Sequence, residues 1–296
     1  SPLLAWLIVR ALRVVGKLPL GAAQAIGRMA GTLLYLLPTT ERRVTDVNLA
    51  LAFPDLDARA RRTLARRSLV QTGMTFAEIG AMWTLDLARI EPLVREVLGE
   101  HHVREPMNDG RGVILAGIHL GDWEVISAYC STRWPMTTLY RAPRIQELDP
   151  FFRHARGRGG AKTVSASMGA VRPMLRALRQ GEMVAMLPDQ DSGEGAGVFV
   201  PFFGVVANTV TLLSGLAARS DARVVFTYAE RLPRAAGFRV HFVPASDGVY
   251  DPDVGVSATA MNRDIERLVR RSPEQYLWSY KRFRIVPKGH DNPYKR

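Results

Sequence analysis

From Val113 onward the chain alternates short, β-rich apolar runs with helical segments, and few architectures accommodate that alternation. The runs at 113–119, 136–141, 161–166, 182–188, 198–203, 223–230 and 238–244 read as strands. Segments 123–131, 147–157, 168–180, 208–220 and 256–271 read as helices. The expectation is an α/β fold with a mixed, mostly parallel central sheet of about seven strands flanked by helices. Sites in such folds lie at the carboxyl ends of strands. With 296 residues, 47% of them hydrophobic, the chain is long enough to bury a substantial core. No internal repeat or low-complexity linker divides it.

The first strand carries the most informative polar pair. Val113-Ile114-Leu115-Ala116-Gly117-Ile118 follows a turn signal at Asp109-Gly110 and ends at His119. Asp122 then precedes a helical segment as its N-cap, which puts Glu124 in the first turn. On one continuous helix, side chains five apart would diverge by about 140°. Across a strand, a loop and a helix start, His119 and Glu124 are able to meet. A carboxylate against an imidazole fixes its tautomer and strengthens it as a base, the chemistry needed to deprotonate an alcohol. The helix start also offers free N–H groups to an oxyanion. The alternative is structural: a strand-end histidine and a glutamate interacting favourably with the helix dipole.

Later strand ends add candidates. Tyr140-Arg141 closes the second strand, and Arg153, Arg156 and Arg158 follow; an arginine fork donates two parallel hydrogen bonds to phosphate, or simply faces solvent. Pro188-Asp189-Gln190-Asp191 follows another strand, where Asp189 orients an arginine or a substrate, or only builds a turn. Phe151-Phe152 and the 198–203 strand suit either an apolar tunnel or the core.

The net charge of +12 calls for an acidic partner: nucleic acid, an anionic membrane, a phosphorylated substrate or an acidic carrier protein. The amino terminus narrows that choice. Leu3 to Val15 is apolar except for Arg10 and Arg13, which share one helical face with Lys17, as in a helix lying in a membrane interface. The first 40 residues hold four basic and no acidic side chains, and no stretch is apolar enough for a confident spanning helix. Residues 1–40 are therefore expected to form an N-terminal helical membrane-associating segment. A helical subdomain at about 41–105 and an α/β core at about 106–287 follow, the 57–98 stretch reading as helical with a break at Pro92.

The single cysteine, Cys130, excludes an intrachain disulfide and a multi-cysteine zinc site, and in its apolar helix it reads as a core residue. The histidines form no HExxH-type pattern, so no metal and no cofactor is expected. No Gly-x-Ser-x-Gly elbow supports a serine esterase, and no nucleic-acid-binding motif accompanies the basic charge.

Taken in order, several blocks resemble the lipid A late acyltransferases, the lauroyl and myristoyl transferase family within the lysophospholipid acyltransferase superfamily. They are Asn48-Leu49 with Phe53-Pro54, His119 to Glu124, Tyr140-Arg141, the arginines near 156, Pro188 to Asp191, Val198 to Gly204, Glu274 to Trp278 and Lys281-Arg282-Phe283. The resemblance implies an enzyme on the cytoplasmic face of the inner membrane. It would move a fatty acyl group from acyl carrier protein to a hydroxyl of a lipid A precursor, with another glycolipid or a lysophospholipid as the alternative acceptor. His119 is then the general base and Glu124 its orienting partner. Tyr140, Arg141, Arg156, Arg158, Asp189 and Gln190 are the candidate substrate-binding residues, and nucleic acid is not a partner. Asp122 stands where many relatives carry Asn, and a second carboxylate there is expected to raise the pKa of His119.

Overall fold

The computed structural model describes residues 2–140, 142–143, 145–166 and 168–295. The chain opens with five helices: α1 (Pro2–Gly16), α2 (Leu20–Leu36), α3 (Thr40–Ala52), α4 (Ala58–Thr84) and α5 (Leu87–Ile90). There follow β1 (Val94–Leu98), α6 (His101–Asn108), β2 (Val113–Gly121), α7 (Trp123–Ser131), β3 (Met136–Tyr140), α8 (Asp149–Gly157) and β4 (Lys162–Ser165). The second half runs α9 (Val171–Arg179), β5 (Met183–Met186), β6 (Val198–Phe202), β7 (Val205–Thr209) and α10 (Leu212–Ala217). It closes with β8 (Arg223–Arg231), β9 (Phe238–Pro244) and α11 (Val254–Val269).

Seven strands form one sheet in the order β1-β9-β8-β2-β5-β3-β4. Neighbours from β8 to β4 pair in parallel, β9 runs antiparallel to β8, and β1 is parallel to β9. The sheet is thus mixed and mostly parallel. β2 lies inside it, bonded to β5 and β8, which explains why its sequence is apolar at nearly every position.

Two strand assignments differ from the sequence reading. The 198–203 run is not part of the large sheet: it becomes β6, paired only with β7 in a separate antiparallel hairpin. Phe203 and Gly204, with φ of 51° and 75°, make the tight reversal. Val205–Thr209 is consequently a strand, and the helix expected from 208 begins at Leu212. The seventh strand of the sheet is β1, inside the stretch read as helical; its half-exposed Val94-Arg95-Glu96-Val97-Leu98 is fixed by pairing with β9, which overrides local propensity.

The two faces of the sheet bury separate cores. Ile114, Ala116, Ile118 and Leu120 of β2 pack with residues of α9, α10 and α11. Val113 and Leu115 point the other way, into a cluster with Val125, Ile126 and Tyr129 of α7. Each large apolar side chain buried this way contributes about 1.5–3 kcal/mol.

The helices α1 and α2 pack along α4. A Cβ on Gly27 would stand 2.5 Å from the Met74 backbone, and one on Gly73 would stand 2.2 Å from the Gly27 carbonyl oxygen, so α2 and α4 approach closely enough to require glycine on both sides. The outer faces of α1 and α2 leave Leu3, Leu4, Trp6, Leu7, Ile26, Met29, Leu33 and Leu36 exposed. Among the described residues no helix is long and apolar enough to cross a membrane.

Candidate active site

His119 occupies the carboxyl-terminal part of β2, with Asp122 capping α7 immediately beyond by accepting the Glu124 N–H at 3.0 Å. The strand-loop-helix reading of the motif holds, and the pairing inside it differs from expectation. His119 does not hydrogen-bond Glu124. Its partner is Asp189, just past β5: one carboxylate oxygen accepts from His119 Nδ1 at 2.7 Å and the other from the His119 backbone N–H at 2.9 Å. Burial opposes ionisation of Asp189, but the adjoining imidazole and N–H outweigh it and hold the carboxyl below its usual range. With Nδ1–H committed to Asp189, Nε2 keeps its lone pair for a proton.

Gln190 reaches that same nitrogen, its amide nitrogen 3.2 Å from His119 Nε2. Trp123 packs its edge against the imidazole, ring centroids 4.7 Å apart. The carboxyl-terminal segment closes the arrangement from behind. Leu277 N–H donates to the His119 carbonyl at 3.0 Å, and Tyr276 bridges Leu120. Burial and the charge of Asp189 push the Tyr276 phenol well above its ordinary pKa, so it stays protonated beside the carboxylate. Arg284 grips Asp191 with two bonds of 2.8 Å and Tyr280 donates to the same carboxylate, pinning the 188–193 loop.

Glu124 pairs instead with Arg156 of α8 at 2.8 Å. Burial raises the Glu124 carboxyl, the guanidinium together with the Trp83 and Trp123 indoles outweighs this, and the net position is below the usual range. Asp122 behaves oppositely. Burial first, and the nearby Glu78 carboxylate second, push it well above the ordinary value. Its neutral form is favoured, so the expected second negative charge beside His119 is not supplied by this residue. Behind it Arg231 is clamped by Glu78, Gln71 and Thr75, while Thr75 donates to the Gly121 carbonyl at 3.1 Å. The turn between β2 and α7 is thereby tied to α4.

Other candidates separate. The Tyr140 hydroxyl is spent on Asp149 at 2.5 Å, and its ring lies 5.7 Å from the Arg156 guanidinium, so it steadies α8. Arg158 donates to the carbonyls of Met82 and Leu85, capping the end of α4. Arg141 lies outside the described residues. Among the described residues no group of three or more His, Cys, Asp or Glu side chains is arranged to hold a metal.

A cavity of about 70 Å³ runs between the sheet and α7. Leu115, Gly117, Thr138, Ala185, Leu187 and Thr227 form its sheet side, while Trp123, Glu124 and Arg156 bring it to the motif. Neither Phe151-Phe152 nor the 198–203 strand lines it: Phe151 meets Trp83 edge-on and Phe152 packs on it at a tilt, and Phe202 and Phe203 pack into the opposite core.

The model of the bacterial lipid A biosynthesis acyltransferases matches residues 1–285. The lipid A biosynthesis lauroyltransferase of Escherichia coli is 30% identical over 290 residues, covering 97% of this chain and 93% of that protein. The palmitoleoyltransferase of the same organism is 30% identical over 273 residues, 91% of this chain and 86% of its own length. Its myristoyltransferase is 25% identical over 295 residues, 99% and 90% of the two chains. The chain belongs to the bacterial lipid A biosynthesis acyltransferase family.

Proposed function

We propose that this member of the family transfers a fatty acyl chain from the thioester of acyl carrier protein to a hydroxyl of a glycolipid lipid A precursor, with His119 as general base. The observation that carries the reading is His119 itself: Nδ1 is bonded to buried Asp189, Nε2 meets the Gln190 amide, and the Trp123 ring against the imidazole lines an apolar slot. The acceptor hydroxyl displaces the Gln190 amide from Nε2, and His119 takes its proton as the oxygen attacks the thioester carbonyl. The C–S bond then breaks and the leaving thiolate receives that proton. Asp189 holds the tautomer and stabilises the imidazolium, a contribution of roughly 10²- to 10⁴-fold in rate. Free N–H groups in the first turn of α7 face the developing oxyanion.

In this reading the acyl chain lies in the slot beneath Trp123. Glu124 and Arg156, paired at the slot wall, keep α7 and α8 in register and leave the guanidinium facing the substrate's polar end. The exposed apolar faces of α1 and α2, flanked by Arg10, Arg13 and Lys17, rest on the anionic cytoplasmic leaflet of the inner membrane, where each surface cation contributes about 1 kcal/mol.

The test is mass spectrometry of products from membranes supplied with a panel of acyl carrier protein thioesters and a tetraacyl lipid A precursor. A product one acyl chain heavier is expected. His119→Ala should abolish it while leaving the protein folded and membrane-bound; full turnover by that variant would refute the assignment. A wild-type protein that leaves the precursor untouched points to another glycolipid or a lysophospholipid as acceptor.

A further inference from the structure

Val113, Leu115 and Gly117 of β2 lie on the α7 side of the sheet, where His119 meets Trp123 of α7, and Ile114, Ala116, Ile118 and Leu120 lie on the other. On the α7 side, the position immediately before the base on the same face is therefore the one without a side chain. The slot exists where that side chain would have been: Gly117 forms part of its floor, two residues before His119, and Trp123, which packs on the His119 ring, lines the same space. Its neighbours across the sheet bound the same space. Thr227 of β8 is in register with Gly117, and on the other side Ala116 pairs with Met186, which sets Leu187 beside Gly117. Farther across, Thr138 pairs with Ala185 and both line the slot. The cavity thus crosses from β8 to β3, three strand spacings or roughly 14 Å.

A methyl group added at Gly117 would stand 2.9 Å from Leu187 Cδ2, and the next nearest contact is the Met186 carbonyl oxygen at 3.6 Å. The obstruction is the tip of a movable side chain that itself lines the slot, so the backbone of β2 accepts the methyl and the slot absorbs the volume. Gly117 has no positive φ to demand glycine, in contrast to Gly121 two turns of the pleat farther on. Its missing side chain serves space rather than conformation.

Resting on the acyl-transfer reading, we propose that Gly117 and Leu187 together measure the acyl chain, Gly117 by leaving the slot open and Leu187 by bounding it. Volume added at 117 shortens the chain the enzyme prefers; volume removed at 187 lengthens it. Neither residue touches the reacting atoms, so the effect is on selection among donors. One methylene too many in such a slot costs about 10- to 200-fold in kcat/KM.

The experiment measures kcat/KM for a ladder of saturated acyl carrier protein thioesters with wild-type protein, Gly117→Ala, Leu187→Ala and the double variant. Gly117→Ala is expected to lower the ratio of the longest accepted donor to the next shorter one by about tenfold or more. Leu187→Ala should move the ratio the opposite way, and the double variant should return toward the wild-type profile. Unchanged profiles, or both single variants shifting in the same direction, would overturn the proposal while leaving the transfer reading intact. Should Gly117→Ala fail to fold, Leu187→Ala alone decides it through the lengthening it must produce. A wild-type protein that uses no donor of any length overturns the transfer reading and this inference with it.

Discussion

The two faces of β2 are built from the same strand and do opposite work. On one, Ile114, Ala116, Ile118 and Leu120 are completely buried against α9, α10 and α11. On the other, the series Val113, Leu115, Gly117, His119 begins as ordinary core and ends in a cavity and an imidazole. The difference teaches how an imidazole is held still next to empty space. The closed face supplies the packing that fixes the strand, so the open face can leave out a side chain at Gly117 and place buried charge near it. Breaking the comparison means showing that the open face carries stability, or that the closed face carries rate.

The largest effect is expected at the open face from Asp189→Asn. An amide keeps the shape but neither enforces the Nδ1–H tautomer nor stabilises the imidazolium, so kcat should fall about 10²- to 10⁴-fold. The donor KM should change little, because Asp189 lies on the far side of the ring from Nε2. Steady-state kinetics on the folded variant check this, and wild-type turnover would move the orienting role away from Asp189.

That partnership also marks where reading the sequence stops. The strand ending at His119, the capped helix after it and the mostly parallel sheet were legible, because an apolar run, an Asp N-cap and strand-helix alternation are local signals. Within the motif Asp122 serves as the N-cap, which leaves Glu124 in the first helical turn as the natural partner for His119. In space the nearer one is Asp189, which parallel pairing of β2 with β5 brings alongside, and no local pattern encodes which strands become neighbours. Tyr276 is similar: it is part of a resembling block, but its place beside Asp189 depends on the return of the carboxyl-terminal segment to β2. Arg158 was read by its chemistry as a phosphate ligand or a solvated side chain, and its bonds to the open carbonyls at the end of α4 had no local signal to announce them.

The next effect sharpens the comparison by putting charge against packing. Arg156→Met leaves Glu124 buried without its cation, at a cost of about 3 kcal/mol. In the wild type the lowered Glu124 pKa means that its contribution is present above the unfolded value and lost as pH falls through the folded one. Without the cation, burial, the largest influence, is opposed by the lesser contacts of the Trp83 and Trp123 indoles and the carboxyl rises, so the variant should instead lose stability as pH rises toward neutrality. Urea denaturation at pH 5 and pH 8 separates the cases; an unchanged pH slope would mean that Arg156 does not compensate Glu124. On the closed face, Ile118→Val removes one methylene and should cost about 0.5–1.5 kcal/mol. Its kcat per folded molecule should equal that of the wild type, and a rate loss beyond the stability loss would show that the closed face tunes the site.

The smallest effect concerns the residue between the two regions. Asp122 is buried, caps α7 through one oxygen and has no hydrogen-bond partner for the other among the described residues. Because its folded pKa is raised, by burial first and by Glu78 second, the stability it permits is complete below the unfolded value near 3.9 and is lost as pH rises through the folded value. Asp122→Asn keeps the cap and does not titrate. The variant should match the wild type near pH 4 and exceed it by up to about 1 kcal/mol near neutrality, with turnover retained. If it proves less stable than the wild type at neutral pH, Asp122 is ionised there and paired with Arg231. The brace behind the loop would then consist of two carboxylates sharing one guanidinium, and the negative charge set aside for Asp122 would again stand next to His119.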